Sequence, residues 1–189
     1  MRDRRRTGRA RAALTTLVAA SAAIPAAAAV PWRPGVRPSA PAPCRGRQLV
    51  GNFSIVRGGE GAGNVVYALE LVNRSFATCT LSGLPGMQLL GRAHEALPTH
   101  VRLAGAGSAT AVLVVLRHGV PAWSSARFSG DVPGAGEPSL GRCERTAYYV
   151  RARGAGAASA VLVPVRPPTP VCEHGTMSVS VLSRVRPTA

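Results

Sequence analysis

Four kinds of side chain in this 189-residue chain could do chemistry: four cysteines, four histidines, eight carboxylates and 23 basic residues, every one of them Arg. Nucleophilic catalysis needs a Ser or Cys beside a His and a carboxylate. No G-x-S-x-G is present, and beyond residue 29 the one Asp is Asp131, in a Gly/Pro-rich stretch where it reads as a turn residue. Six Glu are scattered over loops and one strand face, which does not suit paired-carboxylate catalysis. No catalytic residue is expected. The histidines are His94, His100, His118 and His174, with no two at i, i+2 or i, i+4 and no H-E-x-x-H. They read as isolated surface side chains, so no metal and no cofactor is expected. The alternative is a secreted copper- or zinc-binding protein, or a small hydrolase, with its site assembled from loops.

The arginines are the stronger signal. With no Lys in the chain, the all-Arg choice fits a GC-rich codon vocabulary, but such codons also encode Asp and Glu, so the basic excess needs another reason. Arg151 and Arg153 share one face of a strand with Tyr149, and Arg145 lies just ahead of them. A cationic strip with an aromatic can hold an anionic polymer. Outside a cell the candidates are wall polymers and anionic lipid headgroups. Nucleic acid is not expected, because no nucleic-acid fold motif is present. The competing reading is a solvated, codon-biased surface.

The four cysteines are Cys44, Cys79, Cys143 and Cys172. No close Cys pair suits zinc. An even number in an exported chain is expected to oxidise. A first hairpin turning near residue 60 or 61 places the partner of Cys44 near Cys79. A later one turning near residue 156 places the partner of Cys143 near Cys172. The pairing expected is therefore Cys44–Cys79 and Cys143–Cys172.

These residues need elements to position them. Residues 1–29 read as a secretory signal: six Arg in the first eleven residues, a short apolar stretch, then Ala27 and Ala29 before the cut. Its removal takes +5 from the formal +15 and leaves +10. Residues 30–43 hold five prolines and read as an extended linker. Residues 44–189 form one domain, long enough for a real core. Alternation there predicts strands. Val65, Tyr67, Leu69 and Leu71 make one inner row, and Tyr148, Val150 and Ala152 another. Val161, Val163 and Val165 make a third, and Met177, Val179 and Val181 a last one. The apolar run 111–116 reads as a central strand. Gly58–Asn64 and Gly154–Gly156 read as hairpin loops. The pattern predicts an all-β sandwich. Its exposed edge strands would allow pairing with a protein partner.

One stretch is more specific. A Gly-rich turn leads into a strand ending at Asn73-Arg74-Ser75, followed by Cys79-Thr-Leu-Ser-Gly-Leu-Pro-Gly86. With a Cys ahead of the first strand and a late Cys pair, it resembles a family of secreted domains from high-GC Gram-positive bacteria, domain of unknown function 4232, over roughly residues 44–183. The resemblance implies an immunoglobulin-like β-sandwich of about seven to nine antiparallel strands, often carried by envelope lipoproteins or secreted proteins. It implies no activity. The chain departs from many members in having no lipid-anchor Cys after the apolar stretch. The expected product is an exported binding or structural module in the medium or at the envelope. Asn73-Arg74-Ser75 also fits a glycosylation acceptor, but reads better as side chains bonding backbone where a strand ends.

Overall fold

The computed structural model describes residues 39–105, 110–155, 157 and 159–189. The expected signal, residues 30–38 of the expected linker, and Gly156 lie outside the described residues. Ten strands follow in order: β1 (Leu49–Gly61), β2 (Asn64–Asn73), β3 (Cys79–Leu81), β4 (Gly86–Leu90), β5 (His100–Leu103), β6 (Val114–Leu116), β7 (Pro121–Ser129), β8 (Ala147–Arg153), β9 (Val161–Thr169) and β10 (Thr176–Val179). Among the described residues the other regular pieces are a 3₁₀ turn at Gly46–Gln48 and a tight turn at Cys172–Gly175.

Eight strands form one ladder in the order β4-β8-β9-β1-β2-β7-β10-β5, and β3 pairs with β6 alone. The ladder nearly closes. The chain leaving β4 folds back on it, with Leu97 N–H donating to Leu89 O at 3.0 Å and Ala96 bridging Leu90. Thr99 Oγ1 then accepts from Leu89 N–H at 3.0 Å, just before β5 begins. The two ends of the ladder are thereby drawn together. The all-β class with two disulfides holds, but the arrangement is a near-barrel, not clearly two packed sheets. Strand number and direction also differ from expectation. Among the described residues there are ten strands, and β1–β9 and β10–β5 are parallel pairs.

The inner rows explain the register. Tyr67, Leu69 and Leu71 of β2 are buried, as are Val161, Val163 and Val165 of β9. Tyr67 packs on Phe53 and Phe128 at centroid distances of 5.0 and 5.2 Å, making an aromatic centre for the barrel. Four local expectations are corrected. In β8 the inner residues are Ala147, Val150 and Ala152, and Tyr148 is turned out by an irregularity between Ala147 and Tyr149. After β10 the inner residue is Leu182, not Val181. There Ser180 Oγ accepts from Ser125 N–H at 2.9 Å in place of a backbone carbonyl, and a one-residue slip flips the facing. The run 111–116 is no central strand: only β6 is paired, with β3 alone, and Val112 and Leu113 are 51% and 58% exposed. Gly58–Glu60 belong to β1 with a bulge, so the loop shrinks to Ala62 and Gly63.

Both expected disulfides are formed, Cys44–Cys79 and Cys143–Cys172, with Cα separations of 4.8 and 5.5 Å. The β1–β2 register, with Leu49 opposite Asn73, carries Cys44 to within a residue of Cys79.

The buried Tyr67 hydroxyl donates to Pro167 O at 2.8 Å. Burial pushes its pKa up to about 12; a hydrogen bond with Thr169 works against the rise, and the Glu60 charge adds to it. The folded state therefore favours the neutral phenol. Its contribution is intact below about pH 10, the unfolded value, and is lost as pH rises through about 12. Tyr67→Phe keeps the ring and is expected to cost about 1 kcal/mol at pH 8. Urea unfolding at pH 8 and pH 11.5 should show wild type losing its advantage over Tyr67→Phe at the higher pH. An undiminished advantage would contradict this.

Candidate functional site

β8 lies between β4 and β9, with Arg151 opposite Gln88 on one side and Leu162 on the other, and Arg153 opposite Gly86. Period-2 alternation sends Val150 and Ala152 inward, so Tyr149, Arg151 and Arg153 face outward. Both arginines are exposed, and both line a shallow groove with Met87, Gln88 and Ser159. Tyr149 stands beside them, its ring edge-on to His94 at 4.5 Å. By the same alternation Arg166 of β9 lies exposed on the side of Leu162.

Arg145 is not part of this strip. It sits ahead of β8 and is ion-paired with Glu95. Together with Arg92, Arg142, Glu144 and Tyr148 it lines a second pocket of about 510 Å³. There Arg92 lies 4.4 Å over the Tyr148 ring and donates to its hydroxyl at 2.8 Å, which pushes the guanidinium pKa further up. The structure thus groups Arg151, Arg153 and Tyr149 and places Arg145 elsewhere. Of the edges, β4 is covered by its own chain through Leu97 and Ala96, and β5 ends the ladder on the other side.

A second constellation surrounds the Cys143–Cys172 disulfide. Glu173 and His174 both take left-handed backbone with φ of 55°, a conformation that costs non-glycine residues about 1–2 kcal/mol each. The turn is held by Glu137, whose side chain is 1% exposed. Its carboxylate accepts from the backbone N–H groups of Gly134, Glu173 and His174. Successive N–H groups in such a turn form a concavity suited to an anion, and here the chain supplies its own. Burial acts to raise the Glu137 pKa, but the three backbone hydrogen bonds and the nearby His174 outweigh it, and the group lies below the usual carboxylate value. Two glycines permit the close approach. A Cβ on Gly134 would lie 2.9 Å from Glu173 Cα, and one on Gly175, at φ +77°, would strike Pro98 O at 1.9 Å.

Glu137 and Glu144 were hidden from sequence reasoning, and His174 read there as an isolated surface side chain, whereas the structure gathers all three. Two come from the β7–β8 connection and one from the turn at Cys172–Gly175, and a period or motif search cannot join them. The one usable signal was Cys143 and Cys172, since Glu144 and His174 lie within two residues of a bonded pair. Asp131 is an exposed residue after β7, and His118 stacks on the exposed Phe76 at 5.1 Å.

These features define a disulfide-stapled, near-closed β-domain whose polar groupings are an arginine-bearing strand and a clamped acidic turn. More particularly, the chain belongs to the family described as Domain of unknown function (DUF4232), whose model matches residues 44–183, from the first disulfide Cys to the end of the pairing that follows β10. No curated protein and no solved structure matches the chain.

Proposed function

We propose that the domain is an exported, non-catalytic binding module that holds anionic wall polymer along the outer face of β8. One observation carries this reading. Arg151 and Arg153 leave the same face two positions apart, exposed, and among the described residues neither has a carboxylate partner. Their directly opposite neighbours, Gln88, Leu162 and Gly86, are uncharged. Residues i and i+2 on a strand lie about 6.8 Å apart, inside one Debye length, so their fields add. Tyr149 supplies an apolar surface at one end. Export is supported by the two disulfides, which suit an oxidising compartment. They also leave no free thiol as a nucleophile.

The test is sedimentation of the protein with purified cell wall at low salt, beside anionic and zwitterionic vesicles. Wall binding that falls about tenfold in Arg151→Ala/Arg153→Ala is expected, because each lost phosphate or carboxylate contact weakens a charge-assisted bond. Binding to anionic vesicles alone would move the ligand to lipid headgroups. No binding to wall would overturn the reading.

A further inference from the structure

We infer that Glu137, Glu144 and His174 form a site for one divalent transition-metal ion of the zinc type. One ligand atom from each of the three lies within 4.8 Å of the other two. The decisive detail is the imidazole. His174 Nε2 lies 3.1 Å from Ala135 O. A carbonyl only accepts, so Nε2 carries the hydrogen. In the neutral ring that leaves the Nδ1 lone pair between Glu137 Oε1 at 3.7 Å and Glu144 Oε1 at 3.6 Å.

These separations are too long for hydrogen bonds. They suit two ligands on one ion, since bonds of about 2.0–2.2 Å at tetrahedral to trigonal angles place donor atoms roughly 3.3–3.8 Å apart. A ligand imidazole that gives its other N–H to a backbone carbonyl is the usual outer-shell arrangement at a metal. Glu137 is oriented in the same way, by three backbone N–H groups.

The donor set selects the ion. One imidazole and two carboxylates suit zinc. Magnesium and calcium prefer all-oxygen cages, and cuprous ion prefers sulfur. Cys143 and Cys172 lie close by but are joined to each other. The ion has a way in, because His174 is 53% exposed. His174 also lines a pocket of about 470 Å³ whose walls carry His100 and Glu173. An ion held by three protein ligands keeps a position open to solvent or to a further donor on that wall.

The test is titration of the oxidised, metal-free protein with zinc ion alone at neutral pH, followed by calorimetry and by thermal melting. One zinc per chain and a melting point that rises with zinc are expected. Glu137→Gln is not the variant of choice, because it also removes a clamp on the turn. Glu144→Gln is expected to melt like wild type without metal, and His174→Ala a little lower, since it also loses the bond to Ala135 O; both should bind zinc at least tenfold more weakly and lose the zinc-dependent rise. Magnesium in excess should not displace zinc. The inference is overturned by absence of stoichiometric zinc binding, or by binding that survives either substitution. Displacement of zinc by magnesium would overturn it as well.

Discussion

Asn73→Ala is expected to lower the unfolding free energy by about 1–3 kcal/mol, the range for a buried polar network that loses its hydrogen bonds. Asn73 has no exposed surface. Its side-chain amide donates to Ala77 O and Leu116 O, both at 2.9 Å. Its carbonyl oxygen accepts from Ser75 N–H at 2.9 Å and from Ser75 Oγ at 2.8 Å. One side chain thereby joins the end of β2, the turn after it and the end of β6. Alanine removes all four bonds. Asn73→Asp is the informative companion. It keeps the acceptor for Ser75 but turns a second oxygen toward two carbonyls, so it should be no better than alanine. Urea unfolding of the three proteins checks this, and an aspartate variant near wild type would contradict it. The same burial shows that Asn73 serves the fold, with its amide already spent, so the acceptor pattern is incidental.

The second large effect concerns Cys143–Cys172. Replacing both with alanine opens a loop with a sequence separation of 29. In the chain-entropy model a bridge of that span is worth roughly 3–4 kcal/mol. At about 2–4 °C per kcal/mol for a domain of this size, the melting point should fall by roughly 10 °C. The bridge ties Glu144 to the turn carrying His174, so zinc affinity should fall with it. The comparison is the Cys44–Cys79 double variant, whose separation is 35. It should lose similar stability but keep zinc binding, because that bridge anchors the start of the domain to β3. Equal loss of zinc binding in both would mean that general loosening, not the local tether, is responsible.

How much of this was legible beforehand can be read from particular residues. The alternation in β2 and β9 is clean because one face is buried along its length, so Tyr67, Leu69, Leu71 and Val163 announced themselves. The disulfides followed because a hairpin register is nearly rigid over ten residues. Tyr148 and Val181 were misplaced for one shared reason. Each lies at an irregularity where the period slips by one, and nothing in residue type marks the slip. The run 111–116 misled because apolar character alone does not tell a central strand from a short pair at a sheet margin. Closure of the ladder was also hidden, since it rests on Leu97 and Thr99 meeting Leu89 across a turn. At the basic face, spacing placed Arg151 and Arg153 correctly because a strand has only two faces. Arg145 stood ahead of the strand, where spacing carries no direction, and there Glu95 claims it.

On the proposed reading the domain's basic excess acts where it is gathered and unpaired, at Arg151 and Arg153. The most direct measurement is therefore the affinity for purified wall polymer across a salt series, in wild type and two charge-reversed proteins. One carries Arg151→Glu and Arg153→Glu; the other carries the same change at the exposed Arg74 and Arg117, away from β8. Both lose the same net charge. The account predicts that wild type and the Arg74/Arg117 variant bind with a steep fall as salt rises, and that the Arg151/Arg153 variant loses most of its affinity. Equal losses in both variants, or binding that ignores salt, would contradict it.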